Sequence, residues 1–373
     1  MAKQKILILV VAVALVIGLV TACAAPAPTP SPSPSPSPSP SPSPSPSPSP
    51  SPSQPPAAIN WKMQSGFVTG DPWFMVAEAV ANRINAAANG RLVIDLFPGG
   101  AVVPAYEEFD GLRNKAIDMT QSANGANMHA DTAFGLLDQM PGGLNNVQLE
   151  YWYKAGEGNA IATEMYNNYG ITFLSHWLAA PEDFAYTNFP LETVDDVKKL
   201  KMRTAGPGGE ILTRMGASTV FLPGGELYES MQRGVINAFE YGSADNAWDM
   251  GFQEVMDYLY ISYTRAPSDG GYLAVRTEAW NALPDDLKEI VKAVCQASAS
   301  VYYDYSIVSA SEAMQKIIDY GVNVQRLPEE IEDAFVAEAI EFFDEQMAKE
   351  GTYYSRIVKS MRAWKTICES QGI

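Results

Sequence analysis

Of the 373 residues, 43 are Asp or Glu and 25 are Lys or Arg, giving a formal net charge of −18, with 47% hydrophobic residues and three cysteines. That balance excludes a basic nucleic-acid binder, and so few cysteines exclude a disulfide-stapled mini-protein. Sixteen of the 27 prolines fall between Ala24 and Pro56, so residues 57–373 have an ordinary globular composition and exceed the size at which single cores stop growing, which predicts two lobes.

The chain opens with Lys3 and Lys5, an uncharged run from Ile6 to Val20, and small residues before Cys23. The run is short of the roughly 20 apolar residues a membrane span needs, so residues 1–22 read as an export signal. The segment VTAC resembles the lipobox of bacterial lipoproteins, which implies cleavage before Cys23 and a lipid on that cysteine. Residues 23–56 follow as a Ser/Pro-rich stalk, with eleven consecutive Ser-Pro pairs from Ser31 to Pro52. Proline fixes φ and favours extended neighbours, so the stalk is expected to be a semi-rigid polyproline rod, reaching roughly 80 Å at about 3.1 Å per residue.

Strands and helices then alternate. Asp71-Pro72 signals a helix start, the apolar positions of WFMVAEAVANRINAAANG keep a helical period, and Gly90 follows as a cap. Next come strand RLVIDLF, helix AYEEFDGLRNKA, strand IDMT, a single helix YWYKAGEGNAIATEMYNNYG and strand ITFLSHW. Thr193 and Asp196 form a capping-box pattern before VKKL, followed by KMRTAG, GGEILTRMG, STVFL, ELYESMQRG and INAFEYG. The pattern predicts an α/β fold of mixed sheets covered on both faces. From Pro284 to Tyr320 there is no glycine and no internal proline, enough for a helix of roughly 55 Å that kinks or lies across both lobes. Strand VNVQRL and two amphipathic helices close the chain. The spacing of Cys295 and Cys368 leaves open whether they form a bridge.

Catalytic motifs are missing from the sequence. Only His129 and His176 are available as imidazole bases, and neither a G-x-S-x-G elbow nor an H-E-x-x-H, P-loop or G-x-G-x-x-G motif occurs. His129, among small polar residues, reads as exposed. Arg203, in KMRTAGPGGE, sits at a strand end before a glycine-rich helix start. Its planar fork matches a carboxylate, although a surface arginine on an edge strand would look the same. Glu240 and Tyr241 end the apolar run VINAFEY, the kind of strand terminus where open α/β sheets bind ligands. An acid beside an anion site points to a cation held by oxygens, and a solvated loop glutamate is the plainer alternative.

The blocks FPGGAVVPAYEEFDGLRNKAIDM and DDVKKLKMRTAGPGGEILTRMGASTVFLPGGELYESMQRGVINAFEY resemble the solute-binding proteins of tripartite ATP-independent periplasmic (TRAP) transporters, most closely the branch for 2-oxo acids and other small monocarboxylates. The resemblance implies a two-lobed periplasmic-binding-protein-like fold, with strands crossing near residues 180 and 267 and a long helix spanning both lobes. Lobe I would comprise 57–178 plus 268–306, and lobe II 179–267 plus 307–373. It further implies that Arg203 pairs with the solute carboxylate and that Glu240, with the Tyr241 carbonyl, binds a cation or the solute. Asn246 and Asn124 are further candidates for polar ligand contacts. The partners would be a small carboxylate ligand and membrane permease subunits, with no nucleic acid and no enzymatic turnover.

This chain departs from that branch in three places. Tyr241 stands where tryptophan is usual, Glu182 and Asp183 stand where a glutamine commonly completes the cation site, and Arg265 is added in SYTRAP. An extra carboxylate there, Glu182 or Asp183, would favour a divalent cation, or none if it points outward, and Arg265 as a second anchor would admit a dicarboxylate. No cofactor is certain; sodium or calcium is the candidate. The rival readings are an exported lipoprotein hydrolase using Glu182 and Glu240 as paired carboxylates, and a stalked surface adhesin.

Overall fold

The computed structural model describes residues 57–349 and 351–373; the expected signal peptide, lipidated cysteine and stalk lie outside them. Eleven strands form two mixed sheets: β1 (Ile59–Ser65), β2 (Leu92–Phe97), β3 (Met119–Ser122), β4 (Ile171–Ala179), β5 (Ala185–Thr187), β6 (Lys201–Arg203), β7 (Ser218–Val220), β8 (Ala238–Phe239), β9 (Tyr258–Ile261), β10 (Asp269–Arg276) and β11 (Asn323–Arg326). The first sheet runs β2-β1-β3-β10-β4 and the second β11-β9-β5-β8-β6-β7. In the first, β1 is parallel to β2 and β3 while β10 is antiparallel to β3 and β4. In the second, β6 is parallel to β7 and β8, and β5 antiparallel to β8 and β9.

The two-lobed architecture follows from where the chain changes sheets. It leaves the first sheet after β4 and enters the second at β5; it returns between β9 and β10. The segments 180–184 and 262–268 are therefore the crossings, near the two positions expected from the sequence. Both carry residues of the site described below.

The uninterrupted stretch forms one helix, Asp285–Tyr320, ended by Gly321 in the left-handed region at φ 108°. Only glycine adopts such a cap at no steric cost. This helix packs against β4 and helix Phe74–Ala88 and also against helix Ala244–Asp249, so it spans both halves. Helix Glu329–Met347 packs on helix Gly206–Arg214, whereas the last helix, Tyr353–Ser370, packs on helices Asn146–Ala155 and Gly158–Asn167. The C-terminal segment thus straddles the two halves rather than belonging wholly to the second.

Two local expectations are corrected. The single helix expected over 151–170 is two helices, because the first ends at Gly156 and the second restarts at Gly158 against the Trp152 ring, where a side chain would not fit. Cys295 and Cys368 are both buried and both free, so no bridge joins them. In the native protein these two thiols are expected to resist a thiol reagent and, after denaturation without reductant, both to react, as peptide mass mapping would show; a bridged pair would stay unlabelled.

Candidate functional site

Arg203 ends β6, and its backbone carbonyl accepts from the N–H of Glu240, which directly follows β8 on the neighbouring parallel strand. This register puts the two side chains together in the interior. Arg203 is 3% exposed; its Nη1 donates to the Glu240 carbonyl at 2.7 Å and to Glu240 Oε2 at 3.1 Å, and its Nε donates to the Leu222 carbonyl at 2.9 Å. Phe221 and Tyr241 cover the guanidinium, with ring centres 5.3 and 5.2 Å from Cζ. A cation between two rings in a desolvated setting gains about 2 kcal/mol from such contacts.

The second arginine lies on the crossing segment 262–268. Arg265 is 1% exposed; its Nη2 donates to Glu182 Oε2 at 2.7 Å and to the Asp183 carbonyl at 2.9 Å, and its Nε donates to the Phe184 carbonyl at 3.2 Å. Its Nη1 lies 3.7 Å from Glu240 Oε1. Glu240 Oε1 also accepts from the Ala205 N–H at 2.5 Å, and Glu182 Oε1 accepts from the Gly242 N–H at 2.9 Å. Arg203, Glu240, Arg265 and Glu182 therefore form one buried chain of alternating charge. Burial first, and then Glu182, push the Glu240 carboxyl upward, opposed by the two arginines.

Two of these groups, Arg203 and Glu182, border a cavity of about 40 Å³ between the sheets, lined also by Trp73, Tyr106, Asp138 and Asp269 among others, with Glu240 and Arg265 behind them. At roughly 10 to 15 Å³ per water this is room for a guest of a few heavy atoms. Asp269 Oδ1 accepts from Gln139 and from the Gly270 N–H, while its buried Oδ2 has no partner among the described residues. Burial, then the nearby Glu182, holds the Asp269 carboxyl well above its usual range. Burial likewise pushes Asp138 up to about 7, against two hydrogen bonds from Asn124.

The expected site residues divide accordingly. Arg203, Glu182 and Tyr241 line the cavity, and Glu240 lies directly behind Arg203. Asn124 and Asn246 do not line it: Asn124 is spent on Asp138 and Tyr166, and Asn246 caps the helix Ala244–Asp249 and donates to Asp71 at 3.1 Å. Asp183 turns to the Tyr186 hydroxyl. Arg265, expected as a second solute anchor, is instead committed to protein carboxylates and carbonyls, so the dicarboxylate expectation loses its basis. For the hydrolase reading, the two glutamates do converge, but each is bound to a guanidinium rather than free to exchange a proton. His129 is half exposed and pairs with Asp110.

Trp73, Tyr106, Asp138 and Asp269 were not identified from sequence. Asp138 and Asp269 are separated in the chain and meet only through the fold. Tyr241 donates from its hydroxyl to Asp71 Oδ2 at 2.5 Å and lies 3.4 Å from the Tyr106 hydroxyl. This set joins the loop before helix Phe74–Ala88 to the end of β8, and so fastens the two halves across the cavity mouth.

A cleft between two α/β sheets linked by crossing segments, closed over a buried guanidinium, defines the class of bacterial solute-binding proteins. The chain belongs to the bacterial extracellular solute-binding protein family 7 (DctP), whose model matches residues 66–350, the TRAP-transporter kind. That is a transport family, not an enzyme family. The chain is 25% identical over 318 residues, 83% of its length and 87% of the relative's, to a monocarboxylate 2-oxoacid-binding periplasmic protein of Nostoc sp.. Among solved structures it resembles a TRAP solute-binding protein of Colwellia psychrerythraea with bound calcium and pyruvate (TM-score 0.80, 24% identity, 84% of this chain and 96% of that one). It equally resembles one of Pseudoalteromonas atlantica with bound sodium and pyruvate (TM-score 0.80, 23% identity, the same coverage). The ions these relatives hold are those named as candidates from the sequence.

The residues here do not fit such an ion as they stand. Glu182 and Glu240, expected with the Tyr241 carbonyl as its ligands, have all four carboxylate oxygens engaged by arginines or backbone N–H groups. Among the described residues no three His, Cys, Asp or Glu side chains are gathered as a metal site.

Burial also raises Asp71 to about 6 and Glu108 and Asp183 to about 7. Each of these carboxyls, like Asp138, binds its proton more tightly folded than unfolded. Between their ordinary range near 4 and about 7 the folded state therefore holds more protons, and stability falls as pH rises. The melting temperature of the ligand-free protein is expected to be several degrees higher at pH 5 than at pH 8; a rise over that interval would mean these groups are ionised in the native state.

Proposed function

We propose that this protein is the extracytoplasmic receptor of a TRAP transporter, capturing a small organic acid, a 2-oxo acid first among them, in the cavity between its lobes and delivering it to a membrane permease. The observation that carries this is Arg203, buried at the cavity wall with its hydrogen bonds running from Nε and Nη1, so that Nη2 is left for a guest carboxylate. The protonated Asp269 would donate to an oxygen of the same guest through Oδ2. Trp73, Tyr106 and Phe221 supply apolar walls that exclude water and strengthen both bonds. Glu182 and Glu240 hold the guanidiniums and carry no proton transfer, so binding without turnover follows.

Capture is a two-state closure. The guest touches groups from both sheets, and the Asp71, Tyr106 and Tyr241 contacts form only when the halves meet, so both bias the closed state. The lobes correspond in this reading to residues 57–178 with 268–306 and 179–267 with 307–373, apart from the straddling last helix. Residues 1–22 direct export, and a lipid on Cys23 with the Ser-Pro stalk tethers the receptor to the membrane near its permease. Two acyl chains suffice for stable anchoring.

Arg203→Ala is expected to weaken binding of the acid by at least about tenfold in calorimetry, since a charged hydrogen-bonded pair contributes about 1.5 to 3 kcal/mol. Unchanged affinity would remove Arg203 as the anchor. Tyr241→Phe, which deletes the hydroxyl bond to Asp71 while keeping the ring, is expected to weaken binding by a smaller factor and to shift small-angle scattering of the acid-bound protein towards the open form. Recovery of the acid unchanged after long incubation separates a receptor from a hydrolase.

A further inference from the structure

We propose that Arg265 is the resident cation of this site: its guanidinium stands between Glu182 and Glu240 and does permanently what an exchangeable metal ion would do, so the protein takes its organic acid without sodium or calcium. The inference rests on the cavity being the organic-acid site and goes beyond it to the source of positive charge.

Four observations converge. The first is geometric. Nη2 is 2.7 Å from Glu182 Oε2 and Nη1 is 3.7 Å from Glu240 Oε1, so one group bridges the two acids that would otherwise ligate an ion.

The second concerns charge. Arg203 and Arg265 already match Glu240 and Glu182 in number, and burial pushes the carboxyls of Glu240, Asp138 and Asp269 towards their neutral forms, so the site holds no surplus of negative charge. A metal ion would enter as an uncompensated charge in a buried space, where pairing is what makes burial tolerable. The third is satisfaction: the Asp183 and Phe184 carbonyls take further N–H groups of Arg265, so the guanidinium is fixed from several sides.

The fourth is space made elsewhere in the chain. Gly208, in the first turn of helix Gly206–Arg214, lies against the arginine stem, and a Cβ there would come within 2.8 Å of Arg265 Cγ. The helix start therefore has to carry no side chain at this point for Arg265 to reach the two acids. Arg265 and Glu182 also sit on the two different crossing segments, so the pair ties the hinge strands to each other. A covalently attached cation cannot be lost when the halves open, and binding is then independent of the ion content outside the cell.

The test uses purified protein stripped by chelation. Calcium chloride alone, and sodium chloride against choline chloride, are expected to leave its melting temperature unchanged, and the affinity for pyruvate should change less than about twofold on adding either ion. Arg265→Gln leaves Glu182 without its cation and facing a Glu240 held by Arg203 alone; it is expected to gain saturable calcium binding and to bind pyruvate at least about tenfold more tightly with calcium than without. Arg265→Lys should stay independent of calcium. If Arg265→Gln does not fold, Gly208→Ala displaces the arginine stem without changing charge and should acquire the same calcium response. Saturable calcium or sodium binding by the unsubstituted protein, or pyruvate binding that vanishes on chelation, overturns the proposal. If pyruvate binds under no condition while calcium binds only to the variants, Arg265 stands as resident cation and the organic-acid reading fails.

Discussion

The site depends on the buried run of charges from Arg203 through Glu240 and Arg265 to Glu182. Taking four ions out of water is expensive, and such a set persists only when each member is paired and hydrogen-bonded; losing one partner typically costs about 3 to 5 kcal/mol. Here the pairing is supplied by backbone geometry. Parallel β6 and β8 bring Arg203 and Glu240 side by side, and the two crossing segments bring Glu182 and Arg265 to meet them. The arrangement fixes the orientation of Arg203, so in the proposed role of anchor little of the binding energy would be lost in ordering it.

Around this core the aromatic walls and buried acids do complementary work. Tyr241 covers the Arg203 guanidinium, touches Trp73 and donates to Asp71, so one side chain links Arg203 to the opposite half. Phe221 likewise covers Arg203 and packs edge-on against Tyr106. These contacts between the halves keep the Arg203 guanidinium out of water at the cavity wall. The same burial that makes the charged pairs effective pushes the Asp138 and Asp269 carboxyls upward, towards their neutral forms, which lessens the negative charge on the cavity wall.

Much of the fold could be read locally. Periodicity and punctuation placed the long helix to within a residue of its ends and most strands within the right segments, because these signals are written in neighbouring residues. The broken helix at Gly156 was missed because the break is imposed by packing on the Trp152 ring. Arg203 and Glu240 were legible for a related reason: each lies where an apolar run meets a turn, a place visible in the chain. Asn124 and Asn246 also lie at such turns, yet their side chains are consumed in holding Asp138 and a helix start, and nothing in sequence distinguishes a capping amide from a ligand-facing one.

By itself the sequence determined that this is an acidic, two-lobed α/β protein with an arginine at a strand end, since composition, period and local punctuation carry that much. Only the tertiary structure decided which charges meet. Whether Glu182 faces solvent, a metal ion or Arg265, and whether Arg265 serves the guest or the protein, turns on distances between segments some 80 residues apart (Glu182 to Arg265). Those distances are set by the way two sheets share their crossing segments, and electrostatic energy in a buried space depends on them more steeply than on which residue types are present.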